Sequence, residues 1–245
     1  MAIKTFKRYE IKYLIGPEQF EDIKAVLSKR MVPDKFCRNT GSYMVYNIYF
    51  DTEHDDIIRR SLDKPYYKEK LRMRSYTMPA SGADTVFLEL KRKIGGIVAK
   101  RRAKMTLFDA KSFIENGIAP KPDSYVDGQV LAEIADFLYR HPAKPKVFIS
   151  YERTAFSQKD HSGLRVSFDR NILTRRDHVD FSCGDYGAEL LTDDRVLMEI
   201  KCDGHIPLWL CSLLSEMKIY KTNFSKYGTE YQSFLRKKLY AKKPA

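Results

Sequence analysis

Histidine and cysteine are scarce, at five and four in 245 residues. Cys37, Cys183, Cys202 and Cys211 show no CxxC and no histidine-paired spacing, which excludes a zinc finger or ribbon. Scattered thiols of this kind fit a reducing compartment. The opening MAIKTFKRYEIKY has no apolar core of a signal peptide, so a cytoplasmic chain is expected. His54, His141, His161, His178 and His205 fall in expected loops or helix ends, and no pair of them has metal-ligand spacing. No apolar run approaches the roughly 18 residues of a membrane span. There is no Walker A motif, so P-loop phosphate chemistry is not expected. There is no RRM or KH signature either, and no nucleic acid partner is expected. Internal repeats and low-complexity tracts are absent. Acidic residues are outnumbered, 32 against 44 basic, for a net charge of +12. That excess favours an anionic partner: nucleotide, polyphosphate, nucleic acid or an acidic membrane surface.

What is present is a folded chain, with 43% hydrophobic and 13% aromatic residues. Its most informative stretch is Val86 to Lys104, which reads as a β-hairpin turning at Gly95-Gly96. Strand residues alternate faces with period two. Phe87, Glu89, Lys91 and Lys93 therefore share one face of the first arm, with Leu88 and Leu90 behind. Val98, Lys100, Arg102 and Lys104 share a face of the second. Like charges directly opposite one another across a hairpin are destabilising. A chain that keeps them points to a bound polyanion, the plain alternative being a solvated basic hairpin.

Other strands are expected at 5–15, 42–50, 66–76, 146–156, 163–173 and 195–203. Helices are expected at 17–30, after Asp51-Thr52 through Leu62, at 107–116, 127–139, from Pro207, and at about 225–239. Pro79, Ser81 and Gly82 make a loop before the hairpin. Most strands pair an apolar face with one bearing Arg, Lys or Glu. Eight or so such strands can close into a barrel and so remove exposed edges. With helices packed outside on the apolar faces, the charged faces would line a basic lumen. It would contain Lys12, Arg72, Arg74, Lys91, Lys100, Arg102, Arg153, Arg165 and Lys201, with Glu10, Glu89 and Glu199 among them. Arginine forks and lysine point charges suit phosphate oxygens. The glutamates suit Mg²⁺ or Mn²⁺, which proteins hold by one or two carboxylates plus phosphates.

Nine short motifs then follow in order: FKRYEIKY (6–13), YFDT (49–52), KLRMRSY (70–76), ELKRK (89–93), VAKRR (98–102), YER (151–153), RVSFD (165–169), MEIK (198–201) and FSKY (224–227). In this order the chain resembles a VTC domain, the catalytic type of the vacuolar transporter chaperone complex and a branch of the triphosphate tunnel metalloenzymes. The resemblance implies an α+β fold: an antiparallel, closed eight-stranded β-barrel, the triphosphate tunnel, with helices packed outside. It implies one such domain over residues 1–245. It also implies a polyphosphate polymerase that uses ATP and Mn²⁺ or Mg²⁺, transferring the γ-phosphate to a growing inorganic chain. Carried over by motif, Lys12, Arg72, Arg74, Lys91 and Lys226 are the catalytic candidates, with Lys12 and Lys226 near the transferring phosphate. Lys100, Arg102, Arg153, Arg165 and Lys201 are expected to bind phosphate or nucleotide. Glu199 is the first metal candidate, followed by Glu89 and Glu10.

One departure bears on the reaction. Hydrolytic relatives such as thiamine triphosphatases and the CYTH group open with Glu-x-Glu-x-Lys, whereas here Arg8 precedes Glu10-Ile11-Lys12. Fewer acidic ligands argue against a metal-activated water and for transfer over hydrolysis. A triphosphate or polyphosphate hydrolase is the nearest alternative. A non-catalytic polyphosphate- or nucleotide-binding module is the alternative of another class. The transmembrane and phosphate-sensing modules of the yeast-type complex are not in this chain, so work at a membrane would need a membrane-protein partner. In isolation Glu199 could simply pair with a neighbouring Lys or Arg. Tyr9, Tyr13, Tyr46 and Tyr49 read as packing and Trp209 as core. The basic run 235–243 reads as a solvated helix end.

Overall fold

The structure, a computed structural model, describes residues 9–78, 81–95, 97–158 and 163–241. Arg8 and the start of the first expected strand, Pro79, Gly96, His161 and the tail from residue 242 lie outside them. The first half of the chain runs β1 (Tyr9–Ile15), α1 (Pro17–Arg30), β2 (Val32–Pro33), β3 (Tyr43–Asp51), α2 (Asp56–Leu62), β4 (Tyr67–Ser75), β5 (Thr85–Ile94) and β6 (Ile97–Thr106). The second half runs α3 (Leu107–Asn116), α4 (Tyr125–Arg140), β7 (Lys144–Ser157), β8 (Arg165–Arg175), β9 (Ala188–Glu189), β10 (Val196–Cys202), α5 (Leu208–Glu216), β11 (Lys221–Thr222) and α6 (Lys226–Ala241). No helix among the described residues is long and apolar enough to cross a membrane.

The fold is α+β, an antiparallel sheet with helices. The expected closed eight-stranded barrel needs correction. The sheet has 11 strands in the order β11-β1-β10-β8-β7-β3-β4-β5-β6, with β2 on β7 and β9 on β8. The path ends at β11 and β6, and among the described residues no ladder joins those ends. Three of the strands, β2, β9 and β11, have two residues each, too short to show any alternation in the sequence.

The chain divides into two compact units, and β3, β7 and β8 each run through both. The first unit takes in the chain up to Met44, Tyr151–Ile172 and Leu191–Phe224. Its core lies under α1 and α5. Pro17 fixes the first turn of α1, and the Gln19 side-chain carbonyl accepts from the Gly16 N–H at 3.0 Å. Phe20, Ile23 and Leu27 then fall on one helical face and are buried against Tyr13 and Ile15 of β1, Val166 and Phe168 of β8, and Met198 and Ile200 of β10. Burying each such side chain is worth about 1.5–3 kcal/mol. Trp209 packs at the edge of this cluster, with the Arg30 guanidinium 5.1 Å from its ring.

The second unit comprises Val45–Ser150, Leu173–Leu190 and the chain from Ser225. On β4, β5 and β6, Leu71, Met73, Val86, Leu88, Leu90, Ala103 and Met105 are buried on one face, as the alternation predicts. Thr106 caps α3 by accepting from the Asp109 N–H, and Gly117 ends it at φ +72°. Ser124 accepts from the Asp127 N–H and so starts α4 at Tyr125, two residues earlier than expected. The helix-facing side is not wholly apolar. Glu133 of α4 holds Arg92 and Arg101, and Glu69 holds Arg92, Arg140 and His141. At the hairpin turn Gly95 has φ +51°, a left-handed conformation that favours glycine, and a Cβ there would displace the exposed Tyr66 ring.

Candidate phosphate-binding faces

Register decides what the charged face of β4–β5–β6 looks like. Lys70 is the Cα partner of Lys91, and Lys91 of Lys100, so three lysines stand abreast across three strands. The adjacent row on the same face is Arg72, Glu89 and Arg102. Arg74 follows beyond Arg72, two residues along β4 and so on the same face.

Glu89 is the one carboxylate in these rows, and it is 1% exposed. Its Oε2 accepts from Arg72 Nε at 2.7 Å and lies 3.9 Å from Arg74 Nη1. Its Oε1 meets Lys100 Nζ at 2.6 Å and also accepts from Arg102. Burial alone would push the Glu89 carboxyl up, but the charges of Arg72, Arg74 and Lys100 outweigh it and hold it far below the usual range. Desolvation, opposed by Glu89 and reinforced by Arg72 and Arg74, pushes the Lys100 ammonium down to about 7. Four cations therefore share one carboxylate, and the face keeps an excess of positive charge. Tyr49 accepts from Arg72 Nη1 at 3.1 Å, and Asn47 accepts from Arg74 Nε at 2.9 Å. Both arginines are aimed by their neighbours on β3.

Lys226, 8% exposed, opens α6 beside this face. The ring of the next residue, Tyr227, lies 5.0 Å from Tyr49, and Lys70 Nζ sits 5.7 Å over it. The Tyr227 hydroxyl donates to Asp51 Oδ2 at 2.6 Å.

The first unit carries a different pattern. Here Glu10 is the partner of Lys201, and Lys12 of Glu199, so signs alternate across β1 and β10. Lys12 Nζ is 3.4 Å from Glu199 and 3.5 Å from Glu10, and Lys201 Nζ is 3.4 Å from Glu199 and 3.7 Å from Glu10. Arg153 makes a two-pronged contact with Asp169, at 2.6 and 2.7 Å, and its Nη2 lies 3.9 Å from Glu199. Burial works against the Arg153 charge, and Asp169 more than offsets it, holding the guanidinium charged. Arg165, opposite Lys201, is held by Asp34 at 2.8 Å and by the Tyr43 hydroxyl at 3.3 Å.

Of the residues expected from sequence, Arg72, Arg74, Lys91, Lys100 and Arg102 share the β4–β6 face with Glu89, and Lys226 adjoins it through Tyr227. Lys12, Lys201, Glu10 and Glu199 form one cluster, with Arg153 at its edge. Arg165 is next to Lys201 across β10 and β8, and is held by Asp34. Among the described residues no three His, Cys, Asp or Glu side chains gather into a metal-binding set. Glu10 and Glu199 fit a divalent cation best, because two carboxylates bracket the same two lysines and phosphate oxygens can complete a shell. Glu89 is the more tightly held carboxylate, at 2.6–2.7 Å from Lys100 and Arg72, whereas Glu10 and Glu199 meet their cations at 3.4–3.9 Å. Lys70, Asp34, Asp169 and Tyr49 were not among the expected site residues. Lys70 shares the strand face of Arg72 and Arg74, Asp169 lies in the RVSFD motif and Tyr49 in YFDT, and Asp34 alone carried no sequence signal.

These features define a class: an antiparallel α+β sheet whose charged strand faces present lysine and arginine around few carboxylates. A family model, that of the VTC domain, matches residues 7–235, and the chain belongs to that family. Among solved structures it is similar to an adenylate-cyclase candidate (bh2851) of Bacillus halodurans, at 15% identity over 89% of this chain and 95% of that one, with a TM-score of 0.54. It is also similar to the PH1819 protein of Pyrococcus horikoshii OT3, at 13% identity over 92% and 99% with a TM-score of 0.46. The Mimivirus capping enzyme triphosphatase matches at 8% identity over 85% and 86%, with a TM-score of 0.33.

Proposed function

We propose that this chain is a phosphoryl-transfer enzyme that extends inorganic polyphosphate from ATP, working as one cytoplasmic domain and requiring Mn²⁺ or Mg²⁺. The observation that carries the reading is the lysine row Lys70–Lys91–Lys100 beside Arg72–Glu89–Arg102. Like charges abreast on a sheet are destabilising, and a chain of phosphates removes that repulsion. Membership of the VTC family supports the substrate class. In the reaction, a terminal oxygen of the polyphosphate chain bonds to the γ-phosphorus of ATP while the bond to the β,γ-bridging oxygen breaks and ADP leaves.

On this reading Arg72, Arg74, Lys91, Lys100 and Arg102 bind and align phosphates. Lys12 and Lys226 neutralise charge at the transferring group, with Lys201, Arg153 and Arg165 as further phosphate contacts. Glu199 and Glu10 would hold the metal ion, which when bound draws electron density from phosphate oxygens. Glu89 keeps the guanidinium groups in place. Positioning and charge neutralisation are what phosphoryl transfer needs.

The test is incubation with ATP and Mn²⁺, with products resolved by chain length, alongside Lys91→Ala and Glu199→Gln. Long chains plus ADP from the wild type alone are expected, and chelation should abolish them. Orthophosphate without chains would instead make the protein a triphosphatase.

A further inference from the structure

We propose that Asp51 and Tyr227 form a positioning pair that sets Lys226 against the β4–β6 phosphate face. The proposal rests on the reading above that Lys226 meets phosphate. Asp51 ends β3, and its side chain is fully enclosed. Its carboxylate accepts from the N–H groups of Thr52 at 2.8 Å, Ile57 at 2.9 Å and Ile58 at 3.0 Å, and from the Tyr227 hydroxyl at 2.6 Å. Two of those donors, Ile57 and Ile58, are backbone groups in the first turn of α2, which a carboxylate stabilises, and Thr52 lies in the turn before it. The Tyr227 hydroxyl ties α6 to the same point. Gly228 shows how closely the helices approach: a Cβ there would lie 3.2 Å from Leu62 of α2.

The Tyr227 ring, 2% exposed, packs on Tyr49 and under Lys70. Tyr49 in turn receives the Arg72 hydrogen bond. One hydroxyl therefore fixes the first turn of α6 to the strand whose side chains orient the arginines. Its neighbour Lys226 is buried in the same turn. Removing the hydroxyl leaves Asp51 three donors and leaves both cation rows intact, so the change falls on the placement of Lys226.

The experiment is a double-mutant cycle on the full chain with Tyr227→Phe, Lys226→Met and the double variant, and Tyr231→Phe as a control one turn along α6. Readouts are kcat and KM for ATP, the dissociation constant for tripolyphosphate, and Tm. We expect Tyr227→Phe to lower kcat about tenfold with KM changed less than about twofold. The double variant should be no worse than Lys226→Met alone, because the tyrosine acts through the lysine. Effects that multiply, or a lowered Tm with kcat unchanged, would overturn the pair. If the wild type makes no chains, the proposed reaction fails by itself. The cycle is then read in tripolyphosphate affinity, where coupling supports the pair and simple addition refutes it.

Discussion

Two charged faces are built from the same strand alternation and reach opposite electrostatic solutions. On β1 and β10 every charge has an opposite neighbour: Glu10 faces Lys201 and Lys12 faces Glu199. On β4, β5 and β6 lysine faces lysine, and a single buried carboxylate serves four cations. The first face pairs opposite signs by register, while the rows of the second set six cations, Lys70, Lys91, Lys100, Arg72, Arg74 and Arg102, around one carboxylate. A balanced face with two carboxylates can exchange ammonium groups for a metal ion.

The comparison is broken most forcefully at its two glutamates. Glu89→Gln leaves four cations without their carboxylate, and breaking a buried pair costs about 3–5 kcal/mol. Thermal unfolding should show this loss, with tripolyphosphate restoring much of it. Glu199→Gln should cost less than that, because Arg153 keeps Asp169 and the lysines keep Glu10, while chain synthesis is abolished. The reverse face of the same strands gives an acid test. Burial raises the Glu69 carboxyl, but hydrogen bonds from Arg140 and Tyr67 outweigh it and bring it down to about 2. A depressed carboxyl stabilises above its ordinary value and loses that contribution as pH falls. About 3 kcal/mol should vanish between pH 4.5 and 2, and Glu69→Gln should flatten that part of the profile.

A finer test lies in Lys100. With its ammonium lowered to about 7, tripolyphosphate affinity should decline as pH rises through neutrality, and Lys100→Arg should remove the step. The sign for folding is the reverse. A lysine depressed in the fold weakens it below that pH, and stability recovers between about 7 and the ordinary lysine value. The smallest effect is the most telling. Lys91→Ala should raise Tm slightly, through relieved like-charge repulsion, while phosphate binding weakens. A destabilised Lys91→Ala protein would put the lysine row on the side of structure.

Much of this was legible in the sequence. The Gly95-Gly96 pair fixes the hairpin register, and that alone places Lys91 opposite Lys100. Period-two alternation separates Leu71 and Met73 from Arg72 and Arg74. What was not legible depends on distant partners. Lys70 joins the row only through the β4–β5 register, and Asp34 reaches Arg165 across 131 positions. The sequence shows Glu89 as a carboxylate among cations, without showing that its two oxygens are held by Arg72, Lys100 and Arg102. The barrel was overcalled for a similar reason: alternation reveals that a strand has two faces, not which edge it pairs. The early start of α4 was readable in the Ser124 to Asp127 spacing, a capping signal that the apolar periodicity outweighed.

Glu89 has a last consequence, which concerns motion. A polymer that grows by one unit per turnover must advance, and tightly held phosphates resist advancing. On the proposed reading Glu89 is a resident anion among Arg72, Arg74, Lys100 and Arg102. A departing phosphate then hands its guanidinium to a partner already in contact, instead of leaving a desolvated charge bare. The lattice of cations behaves as a lubricated track, on which each step exchanges one anion for another of similar strength. Shorter products from a stabilised Glu89→Gln background, through stalled chains, would be the mark of its loss.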